Sequence, residues 1–208
     1  MDFYDAVSQR RTVRDFTGEP VSRDAVEQIL AAGMKAPSND HMRSWEFVVL
    51  TDQTKIAEVL KKIPKKVSEK RLDFIMKSWK LTNEIQQKMY RDAIPKQYDM
   101  LSRSGCLILP LFRQKKLLMA PKSLSSLNPF ASMWCCIENV FLAAAAEGLA
   151  CAMRIPLGGE PEHIAAVLGL PGNMAIPCYL SIGHPASDAV INRQIEFEPT
   201  EKIHWNRW

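Results

Sequence analysis

The sequence predicts a layered domain that mixes helices with strands, in the α/β or α+β class. Two apolar runs rich in β-branched and aromatic residues, Trp45–Thr51 and Cys106–Phe112, are typical of buried strands. A wide apolar stripe at helical spacing begins at Asn128 and stops at Gly148, which indicates one long central helix. Shorter helical and strand patterns precede and follow it. Because such alternation stacks helices on a sheet, we expect a layered fold.

Length and composition fit one globular domain. The chain has 208 residues, of which 47% are hydrophobic and 24% are charged. The longest strongly apolar runs, Gly105–Phe112 and Val140–Ala146, are shorter than the ~20 residues that cross a bilayer. The first residues are neither basic nor apolar, so no signal peptide is expected. Five cysteines, an odd number, favour reduced thiols and a cytoplasmic location.

In the first third of the chain, apolar spacing predicts three helices around the first strand. The first helix ends near Arg10. The second begins after Ser22 as its N-cap and ends just before Gly33. The third covers residues 54–63 and stops at Pro64, which cannot continue a helix.

The middle of the chain predicts a long helix, the second strand and the central helix. Apolar residues from Leu72 to Met89 indicate one long amphipathic helix. Pro110 would place part of the second strand at an edge or a bulge. Asn128 is the expected cap of the central helix, with Pro129 at its first position.

The last third predicts two more strands, a short helix and a tail. The strands are expected at Leu149–Met153 and Met174–Gly183, with the helix at Pro161–Leu168 between them. From Pro185 onward no helical pattern is clear, yet large apolar residues continue as far as Trp208. We expect this extended tail either to pack back on its own body or to lie across another subunit.

Several common catalytic signatures are missing from the sequence. It contains no Gly-x-Gly-x-x-Gly loop, no Walker loop and no Cys-x-x-Cys pair, and its four histidines lie far apart. We therefore expect no metal site. No nucleophile elbow is present, so no catalytic side chain is predicted. A protein of this kind either relies on a cofactor or is not a catalyst.

The most informative cluster, R-R-T-V-R-D-F, follows the first helix. An extended backbone would point Arg10, Thr12 and Arg14 to one side, with Arg11 and Val13 on the other. Guanidinium groups suit phosphate and carbonyl oxygens, and a threonine hydroxyl between them adds a further hydrogen bond. A surface turn with salt bridges to neighbouring acids is the alternative interpretation.

Two loops and one basic segment complete the candidate sites. A polar loop, residues 36–45, precedes the first strand, and residues 155–159 contain paired glycines that allow close backbone approach to a flat ligand. Ordinary turn chemistry explains either loop equally well. Residues 55–103 carry 13 basic and six acidic side chains, which could attract a phosphate-bearing ligand or an anionic surface. A solvated helix face is the simpler interpretation of that segment.

Taken in order, six motifs resemble those of the nitroreductase family of flavin enzymes. They are R-R-T-V-R-D-F, A-P-S before S-W-E-F-V-V-L, A-A-E-G-L-A, I-P-L-G-G, S-I-G-H-P and Asn192-Arg193. The resemblance implies one α+β domain over residues 1–208, a three-layer α-β-α sandwich around a mixed, largely antiparallel sheet. It also implies a homodimer with FMN at the interface and the tail, residues 186–208, across the partner. Residues 64–125, which the motifs barely cover, would form a variable lid.

The resemblance also assigns cofactor contacts to individual residues. The motif that holds the FMN phosphate, the ribityl chain and the N1/O2 edge of the ring corresponds to Arg10, Arg11, Thr12 and Arg14. The segment along the flavin, usually reached from the partner subunit, corresponds to Pro37, Ser38, Asn39 and His41. The strip whose backbone approaches flavin N5 corresponds to Pro156, Leu157, Gly158 and Gly159. A basic residue that closes on the phosphate corresponds to Arg193.

The activity that the resemblance implies is transfer of hydride from NADH or NADPH, through flavin N5, to a nitroaromatic, quinone or similar acceptor. If one stacking surface serves both substrates, turnover is ping-pong. The same scaffold supports reductive dehalogenation, and His41, Arg43 and His184 depart from the usual family residues, which leaves the substrate open. A flavin storage or sensor protein without turnover is a second hypothesis. A nucleic-acid binder is a third, although no aromatic-interleaved basic motif is present, so neither a nucleic acid nor a membrane is expected as a partner.

Overall fold

The computed structural model describes residues 1–114 and 120–208. The helices in these two ranges are α1 Phe3–Gln9, α2 Arg23–Gly33, α3 Gln53–Val59, α4 Glu69–Ser78, α5 Glu84–Ala93, α6 Asp99–Ser102, α7 Asn128–Ala146 and α8 Glu160–Leu168. The strands are β1 Trp45–Leu50, β2 Cys106–Arg113, β3 Ala150–Arg154, β4 Met174–Ala175 and β5 Tyr179–Gly183. Short 3₁₀ turns lie at Asn39–His41, Leu60–Lys62, Leu124–Leu127 and Pro199–Lys202.

The strands form one sheet in the order β1-β2-β5-β3, and the short β4 pairs with the end of β2. The ladders between these strands are antiparallel, with Val48 opposite Leu109 in the first and Cys151 opposite Ile182 in the last. A parallel bridge between Thr12 and Cys151 adds the N-terminal segment beyond β3. The sheet is therefore mixed and largely antiparallel, which confirms the predicted α+β class.

Helices cover both faces of the sheet because side chains alternate along β2. Ile108 belongs to a core with α2 and α7, whereas Leu107 and Leu109 belong to a core with α3, α6 and α8. Gly33 allows α2 to approach α7 closely, since a Cβ added there would lie 2.5 Å from Val140 Cγ2. These two cores and the sheet between them make the three-layer sandwich that the family resemblance implies.

Pro110 shows how a proline is accommodated inside the sheet. It is paired with Phe47 of β1, so it does not lie on an outer edge. On its other side, β5 pairs only as far as Ile108 and β4 begins opposite Phe112. Pro110 thus faces a gap between two neighbouring strands, where a missing amide hydrogen costs little.

The predicted long helix over residues 72–89 is wrong, because the structure divides it into α4 and α5. Lys80 adopts a left-handed conformation with φ of 51° after α4. Asn83 then caps α5, and its Oδ1 accepts a hydrogen bond from Ile85 N at 3.0 Å. The apolar spacing continues across this break because Leu72 and Met76 pack with α5 residues in a small core of their own.

Two further boundaries differ from the sequence predictions. A 3₁₀ turn at Leu124–Leu127 runs directly into α7, so Asn128 is the first helical residue and not the cap. Its Nδ2 donates instead to Asn39 Oδ1 at 3.1 Å. The single strand predicted at Met174–Gly183 is two strands, β4 and β5, and the break contains Pro177.

Helix α7, with 19 residues, is the longest helix of the described chain and is largely apolar. Together with the turn before it, Leu124–Ala146 is long and apolar enough to cross a membrane by length and composition alone. Met133, Ile137 and Val140 are nevertheless buried in the core between α2 and the sheet. A core helix of a globular domain passes the same test, so this feature is weak evidence for a membrane span.

The last sixteen residues carry large apolar side chains that the chain itself does not cover. Phe197 is 66% exposed, Trp205 is 81% exposed and Trp208 is 99% exposed. Residues 193–208 are therefore not packed on the body of their own chain. The start of the predicted tail is, because Pro185 bridges Phe16 and Asn192 Nδ2 donates to Asp92 Oδ2 at 2.9 Å.

Candidate cofactor-binding site

The arginine cluster lies on an extended segment at the edge of the sheet. We call residues 10–16 the arginine segment. Val13 N donates to Cys151 O at 3.0 Å, and Phe16 forms an antiparallel bridge with Pro185. Val13 is only 7% exposed while Thr12 is exposed, as the predicted alternation requires. The buried side chains thus anchor the segment and leave its polar neighbours at the surface of the sheet.

The guanidinium groups of this segment reach three different parts of the molecule. Arg10 Nη2 lies 3.3 Å from Glu138 Oε1 of α7. Arg11 Nη2 donates a hydrogen bond to the carbonyl oxygen of Asn192 in the C-terminal segment. Arg14 lies near α5. The alternative interpretation, a surface turn with salt bridges to neighbouring acids, is not what the described residues form.

Two buried nitrogen atoms of the arginine segment lack partners. Arg10 Nε and Arg14 Nε are withdrawn from solvent and have no hydrogen-bond acceptor among the described residues. Burial lowers the pKa of Arg14, and the carboxylates of Asp92 and Asp15 offset this only in part. Because an unsatisfied buried donor costs about 1–3 kcal/mol, these atoms favour an anionic or carbonyl-bearing ligand. The phosphate and ring carbonyls of FMN offer such acceptors, so the donor set fits that cofactor.

A polar cavity of about 430 Å³ opens beside Arg14. Its lining comes from the arginine segment, from the chain around α6 and from the C-terminal segment: Arg14, Asp15, Phe16, Lys96, Asp99, Arg103, Ala186, Asp188 and Val190. Basic and acidic side chains are balanced there. The lining of this cavity therefore carries no net charge.

The polar loop, residues 36–45, is strained. Asp40, His41 and Arg43 have φ of 51°, 52° and 44°, a backbone region that residues other than glycine rarely adopt. Ser38 Oγ accepts from Arg43 N at 3.1 Å, and Asn39 N donates to Ser132 Oγ of α7 at 2.9 Å. These bonds hold the loop against the start of α7, while Pro37 and His41 remain exposed.

The polar loop lines a different cavity from Arg14. This cavity, of about 340 Å³, has Ser38 and Asn39 at its rim and Trp45, Phe112 and Phe130 among its walls. None of its lining residues belongs to the arginine segment. Within one described chain, the predicted flavin-facing loop and the predicted phosphate-binding arginines are thus not brought together.

The third predicted cluster, which we call the glycine loop, lies near the arginine segment. Residues 155–159 follow β3 directly, and β3 carries the bridge to Thr12. Gly158 has φ of 53°, and a Cβ added at Gly158 or Gly159 would meet nothing within 4 Å. Leu157 is exposed and Pro156 is partly exposed. The backbone of this loop is therefore unobstructed at both glycines, and its contact with a flat ligand stays a prediction.

A buried ion pair that the sequence did not reveal closes the glycine loop at its base. Arg154 binds Glu160 through both carboxylate oxygens, with Nη2 at 2.7 Å from Oε1. Tyr179 donates its hydroxyl to Glu160 Oε2 at 3.0 Å, and burial, with the neighbouring carboxylate, raises the pKa of that hydroxyl. The pair joins the two ends of a five-residue loop. No local motif marks either residue, because the contact depends on how β3, α8 and β5 pack.

The remaining predicted residue, Arg193, lies next to the site but does not enter it. Its side chain is 71% exposed and pairs with Glu196 at 2.9 Å. Its predecessor Asn192 is the residue whose carbonyl oxygen accepts from Arg11. The backbone of Arg193 is thus adjacent to the arginine segment.

No group of three or more histidine, cysteine or carboxylate side chains that could hold a metal ion is present in residues 1–114 and 120–208. All five cysteines are free thiols. Burial raises the pKa of Cys106, Cys136 and Cys151 to about 12, so these three are not reactive thiolates near neutral pH.

Comparison with known proteins connects this fold to flavin-dependent oxidoreductases. The chain is 26% identical over 196 residues to iodotyrosine deiodinase 1 of Rattus norvegicus, which covers 91% of this chain and 64% of that protein. The chain therefore spans somewhat less than two thirds of that protein's length. Two crystal structures share the fold over the full length of both chains, at 19% and 17% identity.

The first of these structures is an FMN- and NADPH-dependent nitroreductase variant from Sphigopyxis sp. strain HMH, with a TM-score of 0.71. The second is an oxidized iodotyrosine deiodinase bound to FMN and 3-iodo-L-tyrosine, with a TM-score of 0.69. The sequence model of the nitroreductase family matches residues 7–184. That match spans the arginine segment, the polar loop, the glycine loop and every strand of the sheet. The chain belongs to the nitroreductase family.

Proposed function

We propose that this protein is an FMN-dependent oxidoreductase that passes hydride from NADH or NADPH to a small-molecule acceptor. The observation that carries the proposal is the pair of buried, unsatisfied nitrogens at Arg10 and Arg14. A folded chain does not normally leave two guanidinium donors buried without an acceptor. An anionic cofactor would satisfy both of them.

The residues of the chain would then divide the binding work. Arg10, Arg11 and Arg193 would hold the phosphate by charge-assisted hydrogen bonds, with Thr12 as a further donor. Arg14, positively charged in partly dry surroundings, would stabilise negative charge on the ring. The open backbone at Gly158 would allow the flat ring to approach.

Bound FMN would supply the redox chemistry by taking up hydride at N5 and releasing it to an acceptor such as a nitroaromatic or a quinone. The chain contributes no side chain that must act as an acid or base in that transfer. Because one stacking surface would serve both substrates, we infer a ping-pong scheme with no essential catalytic residue.

We also infer that the working unit is a homodimer. The polar loop lines a cavity separate from the Arg14 cavity, and so needs a second chain in order to meet an arginine segment. The exposed Phe197, Trp205 and Trp208 give each chain apolar surface to place on its partner. A small-molecule acceptor remains the only other partner that we expect, in the cytoplasm.

A second candidate is reductive dehalogenation of a halogenated phenol. The similarity to rat iodotyrosine deiodinase 1 over 91% of this chain favours it. The same cofactor contacts would serve, because the difference between the two reactions lies in the acceptor. A flavin-binding storage or sensor protein would need these contacts as well, but would not turn over.

The test is to purify the protein, record its absorption spectrum and measure NADH and NADPH consumption with three acceptors in parallel. These are a quinone, a nitroaromatic and a halogenated phenol. Arg14→Ala should bind the flavin more weakly and purify with less of it, whereas Arg23→Ala, which removes an exposed arginine paired with Glu27, should bind it as the wild type does. Parallel double-reciprocal plots would support the ping-pong scheme. A colourless protein that does not take up FMN would refute the proposal, and bound FMN without turnover would leave the storage hypothesis.

A further inference from the structure

Three segments that lie far apart in the sequence meet at one amino group. Lys96, just after α5, places its Nζ 2.7 Å from Asp15 Oδ2 and 2.6 Å from Asp92 Oδ1. Asp15 Oδ2 also accepts from Val190 N at 3.1 Å, and Asp92 Oδ2 accepts from Asn192 Nδ2 at 2.9 Å. We call these five residues the clasp. It ties the arginine segment, the end of α5 and the start of the C-terminal segment together.

The three charged side chains of the clasp are partly buried. The side chains of Asp15, Lys96 and Asp92 are 26%, 25% and 16% exposed. Burial acts to raise the pKa of Asp15, but the hydrogen bonds from Lys96 and Val190 outweigh it, so the pKa is lowered. Burial likewise acts to lower the pKa of Lys96, and its bonds to both carboxylates reverse this. The charged forms of the pair are thus the ones that the folded chain stabilises.

The clasp stands between the arginine segment and Arg193. Asp15 directly follows Arg14, and Asn192, whose carbonyl oxygen binds Arg11, directly precedes Arg193. Beyond Asn192 the chain is exposed, and the ion pair of Arg193 with Glu196 is local. The clasp is therefore where the tail is fixed to the body, one residue before Arg193, whose backbone is adjacent to the arginine segment.

We propose that Lys96 is a positioning residue that acts through Arg193. By holding residues 190–192 against Asp15 and Asp92, it keeps Arg193 beside the arginine segment, where it closes on the FMN phosphate. This inference rests on the FMN binding proposed above. It assigns a role in cofactor binding to the end of α5, which lies within residues 64–125, the segment that the family motifs barely cover. It also couples FMN binding to the order of the tail, because both depend on residues 190–193.

The alternative explanation is that Lys96 affects FMN binding through its charge alone and does not position Arg193. Removal of its charge would leave Asp15 and Asp92 near the phosphate and would weaken binding of an anion even if Arg193 did not move. Lys96→Arg keeps the charge and the capacity to bind both carboxylates. Lys96→Met with Asp92→Asn keeps the net charge but removes the tie. Lys55→Met, at an exposed lysine paired with Glu58, is the matched control.

The experiment is a double-mutant cycle on FMN affinity. Lys96→Met should raise the FMN Kd about tenfold, the effect of one lost hydrogen bond to a charged group. Lys96→Arg should restore most of the affinity, Lys96→Met/Asp92→Asn should not, and Lys55→Met should have no effect. When Arg193→Ala is already present, Lys96→Met should cost less than about threefold, because it acts through Arg193. A full tenfold loss in that background, or recovery in the charge-balanced double variant, would overturn the proposal.

A second readout does not depend on FMN. Hydrogen exchange of the Val190 amide in the cofactor-free protein should be slow in the wild type and fast in Lys96→Met. Should the wild type bind no FMN, the proposed function fails, and this exchange alone decides whether the clasp holds the tail. An unprotected Val190 amide in the wild type would refute the clasp itself. If Lys96→Met does not fold by circular dichroism, Asp92→Asn replaces it in both measurements.

Discussion

The arginine segment and the polar loop are predicted to touch the same cofactor, yet the chain builds them in opposite ways. The arginine segment is held to β3 by the backbone hydrogen bond from Val13 N to Cys151 O, and its Val13 and Phe16 side chains are buried in the core. The polar loop is an exposed, strained turn that lines a cavity elsewhere. The arginine segment is held in place by the sheet and carries two buried guanidinium nitrogens without an acceptor among the described residues. The polar loop is also held in place, but it lines a cavity that contains no residue of the arginine segment.

This difference supports the proposal that a single chain makes only part of the site. Strain in a loop persists only where surrounding structure holds it, and here α7 does so through Ser132 and Asn128. A strained loop held open beside a cavity is suited to contact a second chain or a ligand. Variants that remove the proposed dimer contact, the ligand contact or the loop strain are expected to have effects that decrease in that order.

The largest effect is expected from deletion of residues 196–208. Burial of each of Phe197, Trp205 and Trp208 on a partner would contribute roughly 1.5–3 kcal/mol, so the dimer Kd should rise by at least about a thousandfold. Analytical ultracentrifugation over a range of concentrations measures it. Phe74→Ser, at an aromatic residue that is exposed on α4, is the control and should leave the dimer intact. A wild-type protein that is monomeric and fully flavin-bound would contradict the expectation.

Arg14→Ala should weaken FMN binding by about 1.5–3 kcal/mol, because it removes a buried charged donor from the ligand. Ser38→Ala, in the polar loop, should cost less, since a neutral hydrogen bond contributes about 1 kcal/mol. Quenching of FMN fluorescence on titration gives both values. Equal losses of FMN affinity in the two variants would contradict the claim that the arginine segment contributes more to FMN binding than the polar loop.

Asp40→Gly should stabilise the cofactor-free protein by about 1 kcal/mol, because glycine adopts a positive φ without strain. Glu27→Gly, at an exposed position inside α2, should instead destabilise the protein by a similar amount. Urea unfolding of both variants measures the difference. If Asp40→Gly is destabilising, the loop is not strained in solution.

A smaller effect is expected in the pH dependence of stability. The pKa of Asp15 in the folded chain lies below its ordinary value of 3.8. Its contribution is therefore fully present above that value and is lost as the pH falls through the lower, folded pKa. The stability gap between the wild type and Asp15→Asn, expected to be about 0.5 kcal/mol because the pair is partly exposed, should be constant near neutral pH. Urea unfolding should show the gap closing below 3.8, and a gap that widens in acid would contradict the assignment.

The sequence predicts the main strands and helices of this molecule better than the breaks between them. The strands around Val48 and Leu109 and the helix capped by Ser22 follow from apolar spacing and capping chemistry alone. The break at Lys80 does not, because apolar spacing carries on through it. Pro177 could have indicated the division between β4 and β5.

At the site, the arginine segment and the glycine loop are readable because their residue types are unusual for their positions. The clasp and the Arg154–Glu160 pair are not, since each joins residues from separate elements that only the packing brings together. Lys96 in particular resembles any other lysine of the basic segment. The separation of the polar loop from Arg14 is likewise a property of the folded chain and not of either motif.

The most direct test of the account is a comparison of FMN with riboflavin, which lacks the phosphate, by titration calorimetry. The wild type should bind FMN at least about a hundredfold more tightly than riboflavin, because several guanidinium groups converge on the phosphate. In Arg10→Ala/Arg11→Ala, which removes the two arginines of this segment that are directed at the phosphate, FMN affinity should fall close to that of riboflavin. Equal affinity of the wild type for the two compounds, or an unchanged preference in the double variant, would contradict the claim that the arginine segment holds the cofactor.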